Sequence, residues 1–160
     1  MDKLHVIEGD LQARDLRFTI VAARFNDLVV EGLIDGAVNA LRSHGAASAQ
    51  LELVRVPGAF DLPLVVRAIA ESGRADAIIA LGAVIRGETA HFEHIAGECA
   101  SGLARVSSDT GVPVTFGVLT TDTVEQAADR AGGKVGNRGA DAAQAAICLA
   151  TLLKKLGQPP

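Results

Sequence analysis

Tryptophan and tyrosine are absent from this chain, and five phenylalanines are its only aromatics, 3% of the residues. Positive charge is also scarce: 15 Lys and Arg stand against 19 Asp and Glu, a net charge of −4 with no basic run. Nucleic-acid recognition needs a cationic surface and usually stacking platforms, so both shortages argue against such a partner. Only two cysteines occur, Cys99 and Cys148, in predicted helices far apart in sequence. They read as small buried hydrophobes in a reducing compartment rather than as a disulfide. No apolar run approaches the roughly 18 residues a membrane span needs. The start, Met1-Asp2-Lys3-Leu4-His5, lacks the apolar segment of a secretory signal. The expected location is the cytoplasm, with no membrane partner.

What is present is an apolar composition. Hydrophobic residues make up 49% of the 160, which favour one domain over 1–160. A chain of this length buries about 70% of its unfolded surface, enough for a substantial core. Mean hydropathy is +0.29. Either an Ala-rich helical core raises this value, or apolar surface is covered by further copies of the chain. The expectation is a homo-oligomer.

Four apolar or Val-rich runs, 17–23, 51–56, 77–85 and 112–119, read as parallel strands covered on both faces. Helical patterns separate them. The first covers 28–44 and stops at Gly45, placed as a C′ glycine. The second starts near Asp61, with Pro63 in its first turn. The third carries Phe92, Ile95, Cys99, Leu103 and Val106 at helical spacing. A short helix covers 123–130, with Asp122 or Thr123 as N-cap. A last Ala-rich helix over 140–156 has Asp141 early and Lys154-Lys155 late, as the helix dipole favours. This order predicts an α/β fold, a three-layer αβα sandwich around a four-stranded parallel sheet of flavodoxin-like topology. Residues 1–16 are expected to form an N-terminal arm with a short edge strand at 4–7, and 157–160 a loose tail.

Ligands of open parallel sheets bind beyond the carboxyl ends of the strands. Here those ends run into Arg24-Phe25-Asn26, Pro57-Gly58-Ala59-Phe60-Asp61, Arg86-Gly87-Glu88-Thr89-Ala90-His91-Phe92 and Thr120-Thr121-Asp122-Thr123. Phe25, Phe60 and Phe92 all lie in this layer, as core caps or as a stacking surface. The segment from Ala80 to His94 is the densest in chemistry. A buried strand breaks at Gly87-Glu88-Thr89 and a helix follows, which leaves backbone N–H groups free for an anion. Gly82 to Thr89 has Walker A spacing, but Glu88 occupies the lysine position and would repel a triphosphate. No Gly-x-Gly-x-x-Gly follows a strand. One small phosphate at Glu88-Thr89 and an ordinary helix cap are equally compatible with these residues. His91 suits general acid/base work because imidazole titrates near neutral pH; a solvated or capping histidine would look the same locally. His91, His94 and Glu98 share helical spacing that could ligate a metal, yet the pattern fits an exposed helical face and no metal is expected. Arg130 precedes a glycine-rich, cationic stretch, 131–139, readable as a flexible connector or as a second anion clamp.

Taken together, four motifs resemble the lumazine synthase family. They are Ala23-Arg-Phe-Asn26, Val56-Pro-Gly-Ala-Phe60, Leu81-Gly-Ala-Val-Ile-Arg-Gly-Glu-Thr89 with His91-Phe92, and 113–123 with Glu125-Gln126-Ala127 and Arg130-Ala-Gly132. They occur in the family's order and cover most of the chain. The resemblance implies riboflavin biosynthesis: condensation of 5-amino-6-(D-ribitylamino)uracil with 3,4-dihydroxy-2-butanone 4-phosphate, with loss of phosphate and water and with no cofactor. It implies that Phe25 stacks on the pyrimidine and that Ala59, Phe60 and Asp61 meet the ribityl chain. Ala83, Val84 and Ile85 would offer backbone bonds to the pyrimidine edge. Glu88, Thr89 and Arg130 would hold phosphate, and His91 would move protons. Phe116 and Arg130 would come from a neighbouring subunit. Family members assemble as pentamers, some closing twelve pentamers into a shell; the short connector 132–137 points toward the shell. Many members carry Glu at the position of Asp61, Lys at Arg138 and Glu at Asp141. The competing reading is a shell that binds flavins or lumazines without making them, against which intact Phe25, His91 and Arg130 argue.

Overall fold

The apolar runs become the four strands of one parallel sheet: β1 (Phe18–Ala23), β2 (Leu51–Val56), β3 (Ala77–Ile85) and β4 (Val114–Thr121). The computed structural model describes residues 2–158. Strand order is β2-β1-β3-β4, so β1 and β3 are central. Every residue of β1, and all of β3 but its last, is buried, as continuous apolar sequence requires of strands covered on both faces. β2 departs from that expectation. It lies at the sheet edge with Leu53 exposed, and its Glu52 and Arg55 point to solvent. β4 begins two residues later than predicted. Pro113 precedes it and contributes only its carbonyl, which accepts from Ile78 N–H at 2.8 Å.

The helices are α1 (Asp27–Ser43), α2 (Leu62–Ser72), α3 (His91–Thr110), α4 (Val124–Arg130) and α5 (Arg138–Leu156). They divide into two cores. On one face of the sheet, Val30, Leu33 and Leu41 of α1 and Ala143 and Ile147 of α5 pack on Ile20, Ile79 and Leu81. On the other, Leu62 and Val66 of α2 and Cys99 and Leu103 of α3 pack on Val21, Ile78 and Ala80. These positions recur every three or four residues along the helices and every second residue along the strands, the two periods of helix and strand. α1 lies one residue earlier than expected at each end, and Gly45 follows its C-cap as expected: it takes φ +103° and its N–H donates to the Arg42 carbonyl at 3.0 Å. α4 begins on a capping box, Thr123 Oγ1 accepting from the Gln126 N–H at 3.1 Å.

Three segments differ from the sequence reading. The expected edge strand at 4–7 does not form; residues 2–13 have no regular structure, and Leu4 is 89% exposed. The arm leaves the sheet because it is tied to α5. Asp10 N–H donates to Thr151 Oγ1 at 2.9 Å, Lys155 Nζ donates to the Glu8 carbonyl at 2.8 Å, and Lys155 pairs with the Asp10 carboxylate at 3.1 Å. The Gln12 amide and then Lys155 hold the Asp10 carboxyl below its usual range. The glycine-rich connector folds into a small antiparallel hairpin, β5 (Ala131–Gly133) with β6 (Gly136–Asn137). α5 then starts at Arg138, two residues early, because Asn137 Oδ1 accepts from the Ala140 N–H at 3.1 Å as its N-cap. Pro159 and Pro160 of the expected loose tail lie outside the described residues.

Candidate active site

The strand order reverses between β1 and β3: the chain moves outward from β1 to β2, then returns to β3 on the other side. Such a switch point opens a crevice at the carboxyl ends of the two strands. The pairing makes the crevice deeper. The β1–β3 ladder stops at Ala22–Leu81, whereas the β3–β4 ladder runs on to Ile85–Thr121. Beyond Leu81, therefore, β3 has no strand partner on its β1 side. Asn26 fills part of that gap, donating from Nδ2 to the Ala83 carbonyl at 2.9 Å. It does so from φ +62°, the left-handed conformation that asparagine tolerates better than most residues. The same residue's carbonyl accepts from Val29 and Val30 and so opens α1.

A cavity of about 570 Å³ occupies this crevice, in the range of small-molecule sites. Of the residues singled out by sequence, Phe25, Ala59, Phe60, Asp61, Ala83, Val84, Ile85, Thr89 and His91 all line it. Phe25 and Phe60 line it and are exposed, and Phe92 from the first turn of α3 is a third aromatic wall. A 3-10 turn, Ala59–Asp61, places Phe60 and Asp61. Asp61 Oδ2 accepts from the Gly58 N–H at 3.0 Å, which spends one carboxylate oxygen on the turn and leaves the other for a ligand. The chemistry offered is thus flat apolar surface, backbone groups of β3, a carboxylate, a threonine hydroxyl and an imidazole.

Three predicted residues stand apart from the cavity. Glu88 is exposed on the turn between β3 and α3. Phe116 sits in the middle of β4, opposite Ala80, and is 49% exposed. Arg130 ends α4, its Nη1 donating to the Gln126 carbonyl at 3.0 Å. Arg138 and Asp141 pair with each other at 3.2 Å on the first turn of α5. Among the described residues no group of His, Cys, Asp and Glu is arranged to hold a metal, and no helix is long and apolar enough to cross a membrane. Sequence reasoning gave Asn26 and Ile95 no site role and read Phe92 as a core cap or a stacking surface; all three line the cavity. Of the two that were missed, only Asn26 carried a usable signal, an Asn directly after an apolar strand and before a helix.

The fold and this crevice define an α/β protein with a small-molecule site at the switch point of a parallel sheet. The family profile of 6,7-dimethyl-8-ribityllumazine synthase matches residues 15–154. The chain is 56% identical over 154 residues to the 6,7-dimethyl-8-ribityllumazine synthase of Halorhodospira halophila, across 96% of this chain and 99% of that protein. It belongs to the 6,7-dimethyl-8-ribityllumazine synthase family, and is an enzyme of the transferase class acting in riboflavin biosynthesis.

Proposed function

We propose that the cavity condenses 5-amino-6-(D-ribitylamino)uracil with 3,4-dihydroxy-2-butanone 4-phosphate to 6,7-dimethyl-8-ribityllumazine, releasing phosphate and water. The observation that carries this reading is that flat aromatic surface, unpaired β3 backbone, Thr89 and His91 share one crevice. The pyrimidine stacks on Phe25 and takes hydrogen bonds from the backbone of Ala83, Val84 and Ile85. The ribityl chain lies along Ala59, Phe60 and Asp61, whose free carboxylate oxygen meets a hydroxyl. Thr89, at the turn that opens α3, receives the phosphate with its hydroxyl and with N–H groups that a helix start leaves unpaired; Glu88 contributes through its backbone, since its carboxylate would repel the anion.

The amine of the uracil adds to the ketone carbonyl and water leaves to give an imine. His91 then takes a proton from carbon as the phosphate departs with its electron pair, and returns one during tautomerisation. A second carbonyl addition with loss of water closes the ring. Orientation supplies most of the acceleration: holding two small reactants in place is worth about 7–11 kcal/mol in favourable systems.

The phosphate still lacks a cation in this half of the site. Phe116 and Arg130 do not line their own cavity, and we assign them to that of a neighbouring copy, in a pentamer-based oligomer that closes into a sixty-copy shell. The deciding experiment mixes the purified protein with the two substrates and follows lumazine absorbance and phosphate release. Acceleration over the spontaneous condensation is expected; its absence in the assembled protein would overturn the assignment.

A further inference from the structure

Arg86 is the first residue beyond β3, and the chemistry above does not use it. Its backbone N–H donates to the Thr121 carbonyl at 2.8 Å. The side chain reaches to three further places. Nε donates to Asp122 Oδ1 at 2.8 Å. Nη1 stands 3.9 Å from Glu93 Oε1 on the first turn of α3. The guanidinium carbon lies 4.9 Å from the centre of the Phe92 ring, inside the range of cation–π attraction. Phe92 is itself a wall of the cavity. One side chain thus joins the end of β3, the start of α3 and the end of β4.

The segment it spans needs such a tie. Gly87, Glu88 and Thr89 make no side-chain hydrogen bond among the described residues, and Gly87, Thr89 and His91 line the cavity. An exposed ion pair alone would hold little. Arg86 differs because its guanidinium carbon stands over the Phe92 ring while Nε grips Asp122, two demands that a guanidinium meets together and an ammonium does not.

We propose that Arg86 is a positioning residue for this reaction. Held by Asp122 and standing over Phe92, it fixes the turn 87–90 against the end of β4, and with it the Thr89 hydroxyl and the His91 imidazole over the cavity. The consequence for substrate rests on Thr89 and His91 serving the phosphate-bearing reactant, as proposed above; the mechanical role does not.

Arg86→Met, Asp122→Ala, their combination and Arg86→Lys test it in the assembled protein. Amide hydrogen exchange over 87–92 is expected to quicken about fivefold in Arg86→Met and in Asp122→Ala, with exchange in β3 and the thermal midpoint unchanged. kcat/KM for the phosphate-bearing substrate falls about tenfold while KM for the aminouracil stays put, because misplacing a catalytic group by even a fraction of an ångström is costly. The double variant loses no more than the worse single one, the mark of a shared contact, and Arg86→Lys falls between wild type and Arg86→Met. Unchanged exchange over 87–92 in Arg86→Met overturns the proposal, as does a loss shared equally by both substrates with a lowered midpoint. A wild-type protein that does not accelerate the condensation refutes the substrate assignment instead, and the exchange result still decides whether Arg86 holds the turn.

Discussion

His91 stands exposed at the rim of a cavity whose other walls are mostly aromatic, aliphatic or backbone, so its imidazole is the side chain there best suited to move protons near neutral pH. In the mechanism proposed above, replacing it by Ala leaves the reactants oriented and removes only the proton carrier. Turnover is expected to fall on the order of 10²-fold, the lower part of what a positioned acid or base contributes, with activity above the spontaneous rate remaining. Complete loss in a folded, assembled His91→Ala variant would contradict that division of labour. Two buried groups, Cys99 further along α3 and Thr115 on β4, are informative about stability. Burial pushes the Cys99 thiol from 9.0 up to about 11, so the folded protein should resist iodoacetamide at Cys99 until urea opens it. The sign for stability follows: the unfolded chain loses this proton first, so stability is full below pH 9.0 and declines as pH rises toward about 11. Peptide mapping of the alkylated protein checks the first point, and labelling of Cys99 as fast as of half-buried Cys148 would refute it. Thr115 on β4 buries a hydroxyl with no hydrogen-bond partner among the described residues. Thr115→Val removes an unpaired polar group and should raise the thermal midpoint by about 3 °C; a drop would mean that the hydroxyl has a water partner.

At the scale of elements, the close approach of α1 and α5 is the most demanding feature. Alanine and glycine line it, and a Cβ placed on Gly139 would stand 2.0 Å from the Leu33 carbonyl oxygen. That oxygen belongs to the backbone of α1 and cannot rotate away. Gly139→Ala should therefore separate the two helices and cost about 3 kcal/mol, read as a lower midpoint in thermal unfolding; wild-type stability would show that the helices slide apart without loss. The alternation of strands and helices was legible in the sequence because period and burial agree in each element. The ends of elements were less so. β4 and α5 shifted by two residues where a proline withheld a donor and an asparagine supplied a cap. The arm has a strand's composition at 4–7 but no strand; its bonds to α5 run from Asp10 and Glu8 to Thr151 and Lys155, 141 and 147 residues away.

The whole molecule leaves large apolar side chains in water: Leu28 is 88% exposed, Leu64 77% and Phe25 72%. Such surface is stabilised by burial against other copies. Together with the remote Phe116 and Arg130, it supports an oligomer in which each site is completed by a neighbour. Sedimentation should then report five times 16.5 kDa or a multiple of it, and a monomer at working concentration would remove the basis for shared sites. Light scattering that shows one pentamer at every concentration would exclude the shell. Complementation is the sharper check. Phe25→Ala and Arg130→Ala subunits, each impaired alone, should recover activity when assembled together, since some mixed interfaces then carry both intact residues. No recovery would return Arg130 to its own chain's chemistry or to none.

By itself the sequence determined the layer in which the cavity lies, because apolar runs end where Phe25, Phe60, Asp61, Thr89 and His91 begin and strand ends are where parallel sheets bind ligands. Its motifs also determined the family. Only the tertiary structure decided how those ends meet. The register that stops β1 at Leu81 and carries β3 on to Ile85 is a matter of long-range pairing, with no local signature. The same holds for Asn26 on the Ala83 carbonyl and for Arg86 between Phe92 and Asp122. Residues 36 or 57 apart in the chain become partners only when strands and helices have packed, and no periodicity along the sequence encodes a contact of that kind.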